Sequence, residues 1–212
     1  MSGVESILEL EDAAPSLGGV PPLRGVDRSP VIEFVGVGDG GNAARRAMAT
    51  GGIDGVELAW VDVDEPWRFG PRKYAPRGST RTRPEIGAWA ATEGADRIRD
   101  LIEGVDVLLL TARMGWGTGT GMIPVVARIA RETGLRAVAI VAEPFEFEGR
   151  KCRRAARAGI EALAPWVHSL SVVPSAKVLR TLGRGIPLAD AFEALDAALL
   201  DAVRAAVEGR RP

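Results

Sequence analysis

Thr118 and Thr120 alternate with glycines in the run Gly115-Trp-Gly-Thr-Gly-Thr-Gly121. A backbone without Cβ atoms lets a ligand approach closely, and the two hydroxyls add donors. The run follows an apolar stretch, Val107 to Leu110, and precedes a helical pattern at Val125, Val126 and Ile129. Strand, glycine loop and helix N-terminus in that order gather free backbone N–H groups at the positive end of a helix dipole, which suits phosphate. A second glycine run lies upstream. Val31 to Val35 reads as a buried strand leading into Gly36-Val-Gly-Asp-Gly-Gly41, then Asn42 and a helix through Arg45, Arg46 and Met48. This satisfies the dinucleotide-binding pattern G-x-G-x-x-G, a weak signal alone.

Other residues that could do chemistry are less specific. Asp62 and Asp64 close the second strand, Val56 to Val63, where an acid either holds a ribose hydroxyl or is simply solvated. Arg77, Arg81 and Arg83 lie in an irregular segment, residues 65 to 83, and either face phosphates or solvent. Arg150, Arg153, Arg154 and Arg157 share one helix face, read as solvated or as a polar partner surface. His168 is the only histidine and sits beside Trp166 and Val167, which reads as structural, since a lone imidazole needs a partner to be catalytic.

The elements that must position these residues alternate along the chain. Pro84 opens a helix with Ile86, Trp89, Ile98, Leu101 and Ile102 on its buried face and a break near Gly94. Met122 to Glu132 reads as helix, ended by Gly134. Ala137 to Ala142 reads as strand, Glu143 to Gly149 as loop, Arg150 to Leu163 as helix, Leu170 to Val173 as strand and Ser175 to Leu182 as helix. The last helix starts near Pro187, with Leu188, Phe192, Leu195, Leu199 and Val203 as one stripe and Ala191, Ala194, Ala198, Ala202 and Ala205 on its other faces, so that it is easily buried on two sides. The alternation predicts an α/β fold: a three-layer, Rossmann-like, mostly parallel sheet with helices on both faces. Ligands of such sheets bind outside the carboxyl ends of the strands, where both glycine runs fall.

Residues 1–29 carry Pro15, Pro21 and Pro22 without sustained periodicity and are expected to be a flexible tail; 30–209 form the domain and 210–212 a short tail. The 212 residues are 46% hydrophobic and 26% charged, ordinary for a globular protein. A net charge of −1 predicts no nucleic-acid or membrane partner. One cysteine, Cys152, excludes an internal disulfide and a multi-thiolate zinc site. No apolar run is long enough to span a membrane, and Glu5, Glu9, Glu11 and Asp12 do not suit a signal peptide, so the expected location is cytoplasmic.

Several spaced stretches together resemble the FtsZ and tubulin family of GTP-binding filament proteins over residues 31 to 208. They are Val-Gly-Asp-Gly-Gly-Asn-Ala (37 to 43), Pro-Glu-Ile-Gly (84 to 87), Gly-Trp-Gly-Thr-Gly-Thr-Gly (115 to 121), Pro-Phe-Glu-Phe-Glu-Gly (144 to 149), Leu-Gly-Arg-Gly-Ile-Pro-Leu (182 to 188) and Asp-Ala-Phe (190 to 192). The resemblance implies GTP or GDP as ligand, with Mg²⁺ as its companion ion. It places Gly40, Gly41, Asn42 and Ala43 along the phosphates, with Gly38 before them. Gly117, Thr118, Gly119 and Thr120 would hold the α- and β-phosphates, between Gly115 and Gly121. Glu148 would accept from the ribose hydroxyls, Phe192 would stack on guanine, and Asp196 would accept from guanine N1–H and N2–H.

The chain departs from the family pattern around the ligand. Asp39 brings negative charge to a loop that is nearly all glycine in the family, Trp116 replaces a glycine, and residues 77 to 83 are arginine-rich rather than glycine- and alanine-rich. The family's last helix leads to an Asn-x-Asp-x-x-Asp loop whose acids complete the next subunit's site, whereas this sequence runs out at Gly209-Arg-Arg-Pro212. No catalytic residue and no metal ligand is therefore assigned. The expectation is a guanine-nucleotide-binding protein associated with division-type filaments, with hydrolysis weak or dependent on a partner's acids. Self-association or a full-length FtsZ-like protein is the expected partnership. The alternative is a nucleotide-free protein that caps or modulates such filaments, and a weaker third reading is a dinucleotide-binding enzyme resting on Gly36, Gly38 and Gly41.

Overall fold

A computed structural model describes residues 30–38, 41–62, 73–74, 83–183 and 185–208. The strands are β1 (Ile32–Val37), β2 (Val56–Val61), β3 (Lys73–Tyr74), β4 (Val107–Arg113), β5 (Arg136–Ala142) and β6 (Ser169–Val173). The helices are α1 (Gly41–Ala49), α2 (Pro84–Glu93), α3 (Ala95–Leu101), α4 (Gly117–Glu132), α5 (Gly149–Leu163), α6 (Ser175–Leu182) and α7 (Leu188–Glu208). The sheet is six-stranded in the order β3-β2-β1-β4-β5-β6, and every pairing in it is parallel. The order reverses between β1 and β4, where a crevice opens at the strands' carboxyl ends.

Strands buried on both faces read as continuous apolar runs, and alternation then decides which layer each residue joins. Val35, Val37, Leu108, Leu110, Ala112, Ala137, Ala139 and Val141 face α2, α3, α4 and α5. Phe34, Leu109, Val138, Ile140 and Ala142 face α1 and α7. On α7 the stripe Leu195, Leu199 and Val203 is buried, Ala194, Ala198, Ala202 and Ala205 are half-buried, and Leu188 stands exposed.

The helix ends follow local chemistry. Pro84 occupies the first turn of α2, and Gly94 separates α2 from α3. Gly134, at φ +78°, ends α4 with its N–H on the Arg131 carbonyl while the Leu135 N–H reaches the Ala130 carbonyl. This is a Schellman arrangement.

Four elements differ from the sequence reading, and Trp89, expected on the buried face of the helix opened by Pro84, is 56% exposed. The helix after β4 begins at Gly117, not Met122, so the glycine–threonine run is the first turn of α4 rather than a loop before it. Glycine's poor helix propensity is overridden because tight packing there excludes side chains. β1 runs on to Val37, which puts Gly36 inside the strand, and β2 stops at Val61. The segment read as irregular contains the short strand β3, added to the β2 edge through Trp60–Lys73 and Val61–Tyr74.

Candidate functional site

The site lies at the sheet's switch point, where β1 and β4 each deliver a glycine-bearing turn to a helix N-terminus. Gly38 follows β1 at φ +60°, and a Cβ there would lie 2.8 Å from the Gly119 nitrogen and 2.9 Å from Thr118 Cβ. The two turns are therefore in direct contact, and Gly38 is required by both backbone angle and space. Gly41 opens α1 against Trp60, Asn42 is its second residue, and Ala43 is fully buried. Gly40, Asp39, Asp64 and residues 75–82 lie outside the described residues.

After β4, Gly115 turns at φ +106°, and its N–H donates to Thr120 Oγ1 at 2.7 Å. The Thr120 hydroxyl thus closes its own turn. Thr118 and Thr120 are both buried, at 9% and 3% exposure. The first N–H groups of α4 and α1 have no intrahelical acceptors and point to this edge with the positive ends of both helix dipoles. Much of the glycine spacing also serves packing. A Cβ on Gly121 would sit 1.8 Å from the Pro84 carbonyl oxygen, on Gly119 2.7 Å from the Arg113 oxygen, and on Gly87 2.8 Å from the Gly117 oxygen.

Glu148 ends a 3-10 turn, Glu146–Glu148, just before α5. Its Oε1 accepts from the Phe145 N–H at 2.6 Å, and its Oε2 accepts from the Trp116 indole Nε1–H and, at 3.9 Å, from the Cys152 thiol. Burial, then the negative charge of Glu148 and its acceptance from the thiol, push the Cys152 thiol up to about 11.

On the other side of the crevice, Phe192 of α7 meets Phe145 edge-on at 5.4 Å and Phe147 at 6.2 Å, while Phe145 and Phe147 stack at 4.9 Å. Phe147 is 52% exposed. The Arg113 guanidinium lies 4.8 Å over the Phe192 ring, and its Nε stands 4.0 Å from Asp196 Oδ1. Asp196 is buried, one turn after Phe192 on α7. The end of β4 thus sets Arg113 against both Phe192 and Asp196, neighbours one turn apart on α7.

Arg113, Phe145 and Phe147 were not singled out from the sequence. Arg113 carries no motif, and only its place at a strand's carboxyl end could have flagged it. Asp62 is half-buried at the end of β2 and has a partner. His168 accepts the Ala137 N–H at Nδ1 at 3.3 Å and supports the edge of β5. Arg150, Arg153, Arg154 and Arg157 are exposed along α5, with Arg153 3.8 Å from Glu146. Among the described residues no group of three or more His, Cys, Asp or Glu is placed to hold a metal, and no helix is long and apolar enough to cross a membrane.

The sequence and the fold have counterparts in known proteins. A family model described as the Tubulin/FtsZ family GTPase domain matches residues 69–183. The cell division protein FtsZ of Coxiella burnetii is 41% identical over 182 residues, which are 82% of this chain and 47% of that protein. The Pseudomonas putida protein of the same name is 39% identical over 188 residues, 84% of this chain and 47% of its own. The chain therefore spans about half the length of these relatives. Among solved structures, an empty FtsZ dimer from M. jannaschii superposes with a TM-score of 0.80 at 30% identity, covering 98% of this chain and 59% of that one. CetZ2 from Haloferax volcanii, in a GTPγS-bound protofilament, shares the fold with a TM-score of 0.69 at 18% identity. With a family match over more than half its length and relatives 41% and 39% identical over most of it, the chain belongs to the tubulin/FtsZ family.

Proposed function

We propose that this chain binds a guanine nucleotide, GTP or GDP, at the switch point between β1 and β4, as a cytoplasmic, filament-associated protein of the FtsZ type. One observation carries the reading: two helix N-termini, at Gly41 and Gly117, meet through contacting glycine turns at one edge of the sheet. Phosphates would lie along Gly38, Gly40, Gly41, Asn42 and Ala43 on one side. On the other they would lie along Gly115, Gly117, Thr118, Gly119, Thr120 and Gly121. Glu148 would take the sugar, Phe192 the base ring, and Asp196 the donor edge of guanine. Mg²⁺ would be held chiefly by nucleotide oxygens and water, as is usual for this hard cation.

Hydrolysis is weak or depends on acids from a partner. What supports this is the engagement of Glu148, whose carboxylate already accepts from Phe145, Trp116 and Cys152. Acceptor positions already taken by protein donors leave less room to position a water for deprotonation. The partner would be a second copy or an FtsZ-like protein.

Acid extraction of the purified protein, followed by calorimetry with GDP, GTP and ATP with and without Mg²⁺, tests the reading. Micromolar guanine-nucleotide affinity with much weaker ATP binding is expected. Failure to bind any nucleotide would overturn it and favour the second reading, a nucleotide-free modulator of filaments. That second reading rests on Trp116 already donating to Glu148, the acceptor a nucleotide sugar would need.

A further inference from the structure

Glu148 is served by three donors of its own chain. An ionised carboxylate offers about four acceptor positions, two on each oxygen. Oε2 is filled by the Trp116 indole and the Cys152 thiol, and Oε1 has the Phe145 N–H on one position. One position is left. A ribose with adjacent 2′ and 3′ hydroxyls brings two donors. For both to reach Glu148, one protein donor must leave.

The three donors differ in how readily they can leave. The Phe145 N–H belongs to the backbone of a residue whose side chain is fully buried. Cys152 is buried on the inner face of α5 against Gly115. Trp116 is the N-cap residue of α4, with its side chain 39% exposed, and the first turn of α4 is closed through its carbonyl, not its ring. Rotating the indole away breaks no backbone bond. We propose that Trp116 competes with the nucleotide sugar for Glu148, lowering the site's affinity and its preference for ribose over 2′-deoxyribose. The inference rests on the nucleotide reading above and concerns a residue that reading leaves without a role.

Calorimetry with GDP and 2′-deoxy-GDP on the full chain tests it, using wild type, Trp116→Phe and Trp116→Ala. Phenylalanine keeps a ring but cannot donate; alanine removes both. Wild type should scarcely distinguish the two sugars. W116F and W116A should bind GDP about tenfold more tightly, the worth of one hydrogen bond to a charged group, and their GDP-to-deoxy-GDP ratio should rise by a similar factor. A second readout is the Trp116 indole N–H resonance, identified by its loss in W116F. It should move on adding GDP to wild type and lie already displaced in Glu148→Gln. If wild type and variants bind GDP with affinities and sugar ratios within about twofold, the competition is refuted while the nucleotide reading stands. If none of the three proteins binds GDP, the nucleotide reading falls and this inference with it.

Discussion

Replacing Gly121 by alanine separates packing from phosphate contact within the glycine–threonine run. The added Cβ would fall 1.8 Å from the Pro84 carbonyl oxygen, 2.7 Å from its carbon and 2.9 Å from the Ala88 nitrogen. All three are backbone atoms, so no side-chain rotation relieves the contact. Restoring an ordinary separation of 3.4 Å requires α2 and α4 to part by about 1.6 Å. That shift unseats Ala90 and Ala91, both fully buried, along the α2–α4 seam. Overpacking alone costs about 1–3 kcal/mol. A backbone-limited site belongs above that range, and about 3–5 kcal/mol is expected for G121A. Gly87→Ala, whose Cβ would stop 2.8 Å from the Gly117 oxygen, should cost roughly 1–3 kcal/mol. Equilibrium urea unfolding followed by circular dichroism reads both. With a slope of about 2–3 kcal/mol/M, G121A should lower the midpoint by more than about 1 M, and G87A by less. A G121A protein that unfolds at the wild-type midpoint yet has lost GDP would refute the packing argument and make Gly121 a ligand contact.

Two further perturbations follow from the crevice. The Cys152 thiol, raised from 9.0 to about 11, should hold roughly a hundredfold less thiolate at pH 8 than an unperturbed cysteine, and thiol-labelling rates should show it. E148Q should speed labelling by removing the nearby charge. Because the folded-state value is raised, the proton is held more tightly in the native state. The stability this gives is complete below pH 9 and lost as pH rises through 11, an effect of at most about 3 kcal/mol that Cys152→Ala should abolish in urea midpoints compared across that window. Arg113→Ala should cost about 2–3 kcal/mol, since it leaves the buried Asp196 without the guanidinium and Phe192 without its cation. R113A/D196N should recover part of that loss, whereas an unchanged R113A midpoint would show the pair to be idle.

The fold was legible because its signals are long. Five apolar runs alternating with helical patterns can hardly be arranged except as a parallel sheet, and the glycine turns after β1 and β4 mark its switch point. The start of α4 was not legible. Gly117 to Gly121 read locally as a loop, and only the nearness of Pro84, Arg113 and Gly87, distant in sequence or in a neighbouring element, makes glycine the residue that helix needs. Nor did local spacing reveal Arg113. Its partners Phe192 and Asp196 lie some eighty residues on, and nothing in a strand-end arginine specifies which helix it will meet.

Arg113 and Trp116 flank the same turn, and that turn explains why one strand can supply both donors. Residue 113 is the last of β4, at the Arg113–Ala142 register with β5, and its side chain goes toward α7. Two residues later Gly115 reverses the backbone at φ +106°, an angle open to glycine alone at low cost, with Cys152 pressed against the place a Cβ would take. The next residue, Trp116, is thereby aimed toward α5 and Glu148. A sugar and a base lie at opposite ends of a nucleoside, and the chain sets the Trp116 indole on the acceptor proposed for the sugar and the Arg113 cation 4.0 Å from the one proposed for the base. The short stretch from Arg113 to Trp116 therefore faces both proposed acceptors. On the proposed reading, affinity for a nucleotide is then a difference between its own bonds to these carboxylates and the contacts the chain already makes with them, which makes residues 113 and 116 the positions at which that difference can be tuned without altering the sheet or the helix N-termini.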